Sequence, residues 1–116
     1  MSLDFINAAK HGDLKKIEIL LSQKINLEFK DKQGCTALHH TALKGHEQVL
    51  ERLLAAGADM DARMNAGGTP LHFAALNGHE QVLERLLAAG ADMDARDNQD
   101  WTPLHVAAQN GHEQVL

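Results

Sequence analysis

Histidine is the residue type here with the most chemistry to offer, with eight among 116 residues. Six fall into two ladders with a step of 33 residues: His39, His72, His105 and His46, His79, His112. A zinc ion needs two ligand nitrogens within about 4.2 Å of each other, twice its bond length to imidazole. Equivalent residues on stacked helices lie about 8–10 Å apart, so neither ladder can chelate. Structural hydrogen bonding is the expected role of all six. His46-Glu47 and its copies open like a zinc-protease helix, which requires a second histidine one turn on, on the same helix face. Leu50, Leu83 and Leu116 stand there instead. No metal site and no cofactor are expected.

Nucleophiles are scarce. The serines are Ser2 and Ser22, and the single cysteine is Cys35, so an internal disulfide is excluded. Cys35 precedes His39 by four residues, a spacing that pairs side chains within a helix. It falls, however, in the loop ahead of the cap Thr36, and reads as a surface or half-buried structural thiol. Asn65-Ala66-Gly67-Gly68 is a turn rather than a phosphate loop. An enzyme is not expected.

The elements that carry these residues repeat. Gly45-His46-Glu47-Gln48-Val49-Leu50 recurs from Gly78 and again from Gly111, and the 19 residues from Gly45 to Arg63 recur unchanged from Gly78 to Arg96. The register extends to a degenerate first copy, as befits a terminal unit with one face in water. Four units result, approximately 1–30, 31–63, 64–96 and 97–116, the last incomplete, forming one domain over 1–116. Each unit reads as two short helices. In the third, Thr69 caps the first helix and Pro70 takes its first position, where the missing N–H costs nothing. Leu71, Ala74 and Ala75 share one face. The second helix buries Val82, Leu83, Leu86 and Leu87, and Gly90 supplies a left-handed end. Neither helix can bury its stripe alone, but stacked copies bury it continuously. Leu53, Leu54, Leu86 and Leu87 are expected deep between units. Small residues at Ala74, Ala75, Ala107 and Ala108 allow close helix approach.

Composition narrows the partners. The chain is 44% hydrophobic and 3% aromatic, with a formal charge of −5. Residues 1–33 hold six Lys/Arg against five Asp/Glu, whereas 97–116 hold three acids and no Lys/Arg. No basic stripe is available for phosphates, so nucleic acid is not an expected partner; a protein with a neutral or basic contact surface is. No apolar run reaches the roughly 18–20 residues that span a bilayer, and the Met1–Phe5 start lacks signal-peptide features. No membrane association and a cytoplasmic setting are the expectations.

The 33-residue period, Thr69-Pro70-Leu71-His72, Thr102-Pro103-Leu104-His105 and Gly90-Ala91-Asp92 together resemble the ankyrin repeat over almost the whole chain. The resemblance implies an all-α solenoid of stacked helix-turn-helix units with protruding β-turn loops and a concave binding face. It also implies that Thr69/His72 and Thr102/His105 tie helix starts to neighbouring loops, and it implies binding of proteins rather than any activity. The departures are Ala37 for proline, Lys24 and Asp100 at glycine positions, and Met64 for the loop aspartate. Aspartate tolerates a positive φ better than most residues, so the turn at Asp100 should survive.

The third and fourth copies differ mainly in one band, at Met64/Asp97, Ala66/Gln99, Gly67/Asp100, Gly68/Trp101, Phe73/Val106 and Leu76/Gln109. A constant scaffold under a changing face suggests a binding surface, and the resemblance places partners on that face. From the second unit its contacts are Lys32, Gln33, Cys35, Leu43 and Lys44. The third contributes Asn65, Ala66, Leu76 and Asn77, and the fourth Asn98, Gln99, Trp101, Gln109 and Asn110. Trp101 is the sharpest of them. Its equivalents are Cys35 and Gly68, so the stack does not require bulk there, and tryptophan is enriched at interface hot spots. It is expected to be substantially exposed, with packing onto Pro103 or a neighbouring loop as the alternative. The near-identity of the copies leaves open a designed or purely structural array without a physiological partner.

The fourth copy stops at Leu116, one turn into a helix that runs about ten residues in the others, and so short a helix is unstable alone. The sequence therefore predicts either a longer array or end-to-end self-association covering Leu83, Leu87, Leu104 and Val115. Intact mass and sedimentation velocity test this. A stable 116-residue monomer at low concentration contradicts both.

Overall fold

The computed structural model describes residues 2–112. Within them are seven helices and no strand: α1 Ser2–His11, α2 Leu14–Ser22, α3 Ala37–Lys44, α4 Glu47–Ala55, α5 Pro70–Leu76, α6 Glu80–Ala88 and α7 Pro103–Gln109. Helices of seven to ten residues do not persist in water by propensity, so these depend on caps and packing. Thr36, Thr69 and Thr102 each accept a hydrogen bond from the backbone N–H three residues on, at His39, His72 and His105. The same histidine reaches back to the threonine's N–H, completing a capping box. Asp13 caps α2 in the simpler way.

The odd-numbered helices form one layer, packed α1 on α3 on α5 on α7; α2, α4 and α6 form a second layer, each against the helix before it. The stack measures 39 × 25 × 22 Å. Its core runs between the layers, through Phe5, Ile17, Leu38, Leu50, Leu53, Leu71, Val82 and Leu86. Alanine at positions 9, 42, 74 and 75 is fully buried, which lets the inner helices approach closely. Among the described residues no helix is long and apolar enough to cross a membrane.

Glycine has a second use besides ending helices. Gly45 and Gly78 sit at φ +75° and +67°, and a Cβ on either would lie 2.6–2.7 Å from the ring of His79 or His112 of the following unit. Both the backbone conformation and the ring above it exclude a side chain. At the loop position Asp100 does adopt φ +69°, as the sequence suggests, and its side chain is 80% exposed. Lys24 likewise takes φ 56°.

Three packing expectations need correction. Leu53 and Leu86 are fully buried, but Leu54 and Leu87 are only half-buried. One step along a helix rotates a side chain by about 100°, which turns Leu54 and Leu87 from the interlayer core toward the flank. Ala108 is exposed although its equivalents Ala42 and Ala75 are buried, because no described helix stacks on the far side of α7. Leu104 is 54% exposed for the same reason, and it lines an apolar groove with Leu83, Leu87 and Met93. Val115, expected to be covered with them, lies outside the described residues.

The contrast between neighbouring leucines is testable. Leu86→Ala should cost about 2–5 kcal/mol of unfolding free energy and Leu87→Ala clearly less, as read by urea denaturation. Equal losses would show the register of α6 to be wrong.

Candidate functional site

Each inner helix from α3 onward is preceded by a hairpin-like loop built the same way. In the first, the Gly34 N–H donates to the Asp31 carbonyl at 2.9 Å and the Asp31 N–H to the Cys35 carbonyl at 3.0 Å. Asp31 Oδ1 accepts from the Gln33 and Cys35 amides at 3.0 and 2.9 Å, an Asx turn. Asp97 makes the same pair of bonds with Gln99 and Trp101, both 2.9 Å. At Met64 the aspartate is missing, and only a weak Ala66 N–H contact to its sulfur, at 3.3 Å, takes its place. The backbone turn is nevertheless kept there.

The loops are joined edge to edge. The Asn65 N–H donates to the Gln33 carbonyl and its side-chain amide to that of Lys32; Asn98 repeats this on Ala66 and Asn65, all at 2.9–3.0 Å. A second row of bonds runs at the far ends of the inner helices. His46, His79 and His112 donate from Nε2 to the carbonyls of Lys10, Leu43 and Leu76, each at 2.9 Å. The Asn77 amide adds a bond to Leu43 at 2.7 Å. That of Asn110 turns to Val106 in its own helix.

The residues picked from sequence therefore fall into two rows bordering the inner helices. Lys32, Gln33, Asn65, Ala66, Asn98 and Gln99 lie along the loops, exposed. Lys44, Leu76, Asn77, Gln109 and Asn110 lie exposed at the helix ends, with Leu43 half-buried beside them. Two placements differ from expectation. Cys35 is 4% exposed, so its side chain is not a surface contact. Trp101 is half-buried rather than substantially exposed. Its carbonyl accepts from His72 Nε2 at 2.7 Å, and its ring meets His105 edge-on, centroids 6.5 Å apart. The fold thus fixes the Trp101 backbone and leaves part of the indole open.

The first histidine ladder is the joint between units. His39 Nε2 lies 3.0 Å from the Gly68 carbonyl, and its Nδ1 lies 3.1 Å from the Thr36 backbone N–H. A carbonyl can only accept and an amide N–H can only donate, so His39 is neutral with its proton on Nε2. Burial lowers its pKa from the ordinary 6.5, and the bond to Gly68 only partly offsets that. A proton on Nδ1 would face the Thr36 N–H.

Catalysis finds no purchase at the cysteine. Burial first, and the charge of Asp31 second, push the Cys35 thiol up to about 11, which leaves it protonated at neutral pH and a poor nucleophile. His39, four residues on, is turned to Gly68 instead. What sequence reasoning missed is a different trio. His40 Nε2 lies 2.8 Å from Asp31 Oδ2, and Cys35 Sγ completes a set of donors within 4.8 Å of one another. Burial works to raise the Asp31 carboxyl, but hydrogen bonds from His40, Cys35 and Gln33 outweigh it and the pKa falls below the ordinary range. The available signal was that His40, unlike six of the other histidines, belongs to neither ladder.

A family model for ankyrin repeats in three copies matches residues 5–97 and, in a second overlapping match, 59–116. No curated protein matches the chain.

His39 gives a pH dependence of known sign. His39 takes up a proton more readily unfolded than folded, so its contribution is complete above pH 6.5, its ordinary value, and is lost as pH falls below it. The urea midpoint should drop between about pH 7 and pH 5, while the His39 ring signal in NMR stays neutral through 6.5. A His39 that titrates at or above 6.5 contradicts the assignment.

Proposed function

The chain belongs to the ankyrin-repeat family, whose members are generally protein–protein interaction modules, and we propose that it holds a partner protein along its loops and inner-helix face. One observation carries this reading. At the loop position Gln33, Ala66, Gln99 and the helix-end position Leu43, Leu76, Gln109, the joints between units use the backbone carbonyls of Gln33, Ala66, Leu43 and Leu76. The side chains at these places are exposed at all but Leu43, and each position carries two residue types over three units, Gln/Ala/Gln along the loops and Leu/Leu/Gln at the helix ends. The stack therefore puts no demand on side-chain identity there, and a partner can. The outer helices α4 and α6 contrast with this, since they are identical in sequence and some of their exposed residues pair across helices. Arg52 pairs with Glu18, and Arg85 with Glu47 and Glu51. Exposed pairs of this kind contribute little stability, but they occupy the outer surface.

Charge favours a partner surface that is neutral or basic. Around the last loop, Asp92, Asp94, Asp97 and Asp100 face only Arg96 as a nearby cation in sequence, and Arg96 is already paired with Asp100. Trp101 is the proposed anchor, since the fold needs its backbone rather than its ring. The second reading is an array serving as a structural spacer or designed scaffold. It is favoured by the 19 residues that recur unchanged from Gly45 and Gly78, because a spacer needs no variation.

Trp101→Ala separates the two. It should leave thermal unfolding nearly unchanged and weaken a captured partner by about 2 kcal/mol, measured by calorimetry. A partner bound equally well by the variant removes Trp101 from the interface. Failure of the wild-type chain to retain any protein in affinity capture supports the spacer.

A further inference from the structure

The second unit holds a donor set that neither the fold nor the binding surface explains. We propose that Asp31, Cys35 and His40 form a three-ligand site for a zinc-class divalent cation. A carboxylate oxygen, a thiol sulfur and an imidazole nitrogen lie within 4.8 Å of one another. Around a tetrahedral zinc such donors stand about 3.3–3.7 Å apart, given bonds of about 2.0–2.3 Å. The 2.8 Å separation of His40 Nε2 from Asp31 Oδ2 must open slightly and the sulfur close in for the ion to be held.

Three features favour a cation here. The turn uses only Oδ1 of Asp31, through the Gln33 and Cys35 amides, so Oδ2 can ligate without releasing the loop. Binding releases the Cys35 thiol proton to solvent, and the carboxylate and the thiolate then together neutralise a divalent ion, which suits a place where Cys35 is 4% exposed and the Asp31 and His40 side chains 13% and 12%. Sulfur with imidazole selects zinc-class ions over magnesium or calcium.

The stack does not need these donors. The loop at Asp97 closes by the same bonds with Trp101 and Val106 in the places of Cys35 and His40. The loop at Met64 closes with Gly68 and Phe73 there. So the cysteine and the histidine are surplus to the turn, and they converge in one unit alone. A bound ion would staple loop 31–35 to α3, and its fourth position stays open to water or an outside donor. Lys10, Lys30 and Lys32 line the cleft beside Asp31, so the affinity should fall below that of a dedicated structural zinc site.

Cobalt(II) is the probe. Titrated into the reduced chain, it should bind at one equivalent with a near-ultraviolet thiolate-to-cobalt charge-transfer band, and zinc should displace it. Cys35→Gly and His40→Phe install the residues of the following unit, which the fold accepts, and Cys35→Ser is a conservative alternative. The cysteine variants should abolish the band, and each variant should weaken uptake about tenfold or more. Zinc should raise the Tm of the wild-type chain alone. Absence of uptake, uptake without the thiolate band, or unchanged uptake in either His40→Phe or the cysteine variants overturns the site. None of these readouts involves a partner protein, so the outcome is independent of the binding proposal.

Discussion

One neutral imidazole, bonded at both nitrogens, sets the terms for the rest of the structure. His39 closes the start of its own helix through Nδ1 and grips the next loop through Nε2, and His72 does the same with Thr69 and Trp101. Helices this short lose more by ordering than their internal hydrogen bonds return. A side chain that caps one unit and bonds the next makes each unit's order a condition of its neighbour's. At His39 the role requires the neutral Nε2–H form, so that joint is tied to its protonation state. Cooperativity along the stack draws on nearest-neighbour bonds of this kind together with the core that runs between the layers.

The joints also explain why a surface can change without disturbing the fold. The second ladder and the asparagines Asn65, Asn77 and Asn98 bond to main-chain carbonyls. Main-chain acceptors are present whatever residue stands there. Gln33 and Ala66 can therefore differ while the contact beneath them repeats. Where a side chain does serve as acceptor, as Asp31 and Asp97 do, identity is retained in two of three loops.

Much of this was legible in sequence, because the period supplies its own internal comparison. A glycine three times ahead of a histidine, and a threonine three times three residues ahead of another, mark the caps and joints directly. The failures share a cause. Leu54 and Leu87 belong to the apolar stripe, but a stripe fixes a face and not a depth, and depth depends on which helix lies opposite. Cys35 and Trp101 share one position in the repeat, yet one is covered and the other half open, since burial there depends on whether another loop follows. The Asp31–Cys35–His40 trio escaped notice because its members come from a turn, a loop and a helix, at spacings of four and five that match no single-element motif.

The loss of aspartate at Met64 fits the same logic of neighbours. Loop 64–68 is bonded on both sides, by Asn65 to Gln33 and by Asn98 to Ala66. Loops 31–35 and 97–101 have that middle loop as their one loop neighbour among the described residues. A turn held from both flanks needs less from within. Its two backbone bonds, Gly67 N–H to the Met64 carbonyl at 2.8 Å and Met64 N–H to Gly68 at 2.9 Å, keep the lengths seen in the other loops. The outer two have half that lateral support, and they are the two that keep the Asx turn. Among the described residues, the carboxylate that stiffens a loop from within is thus found in the two loops with a single loop neighbour.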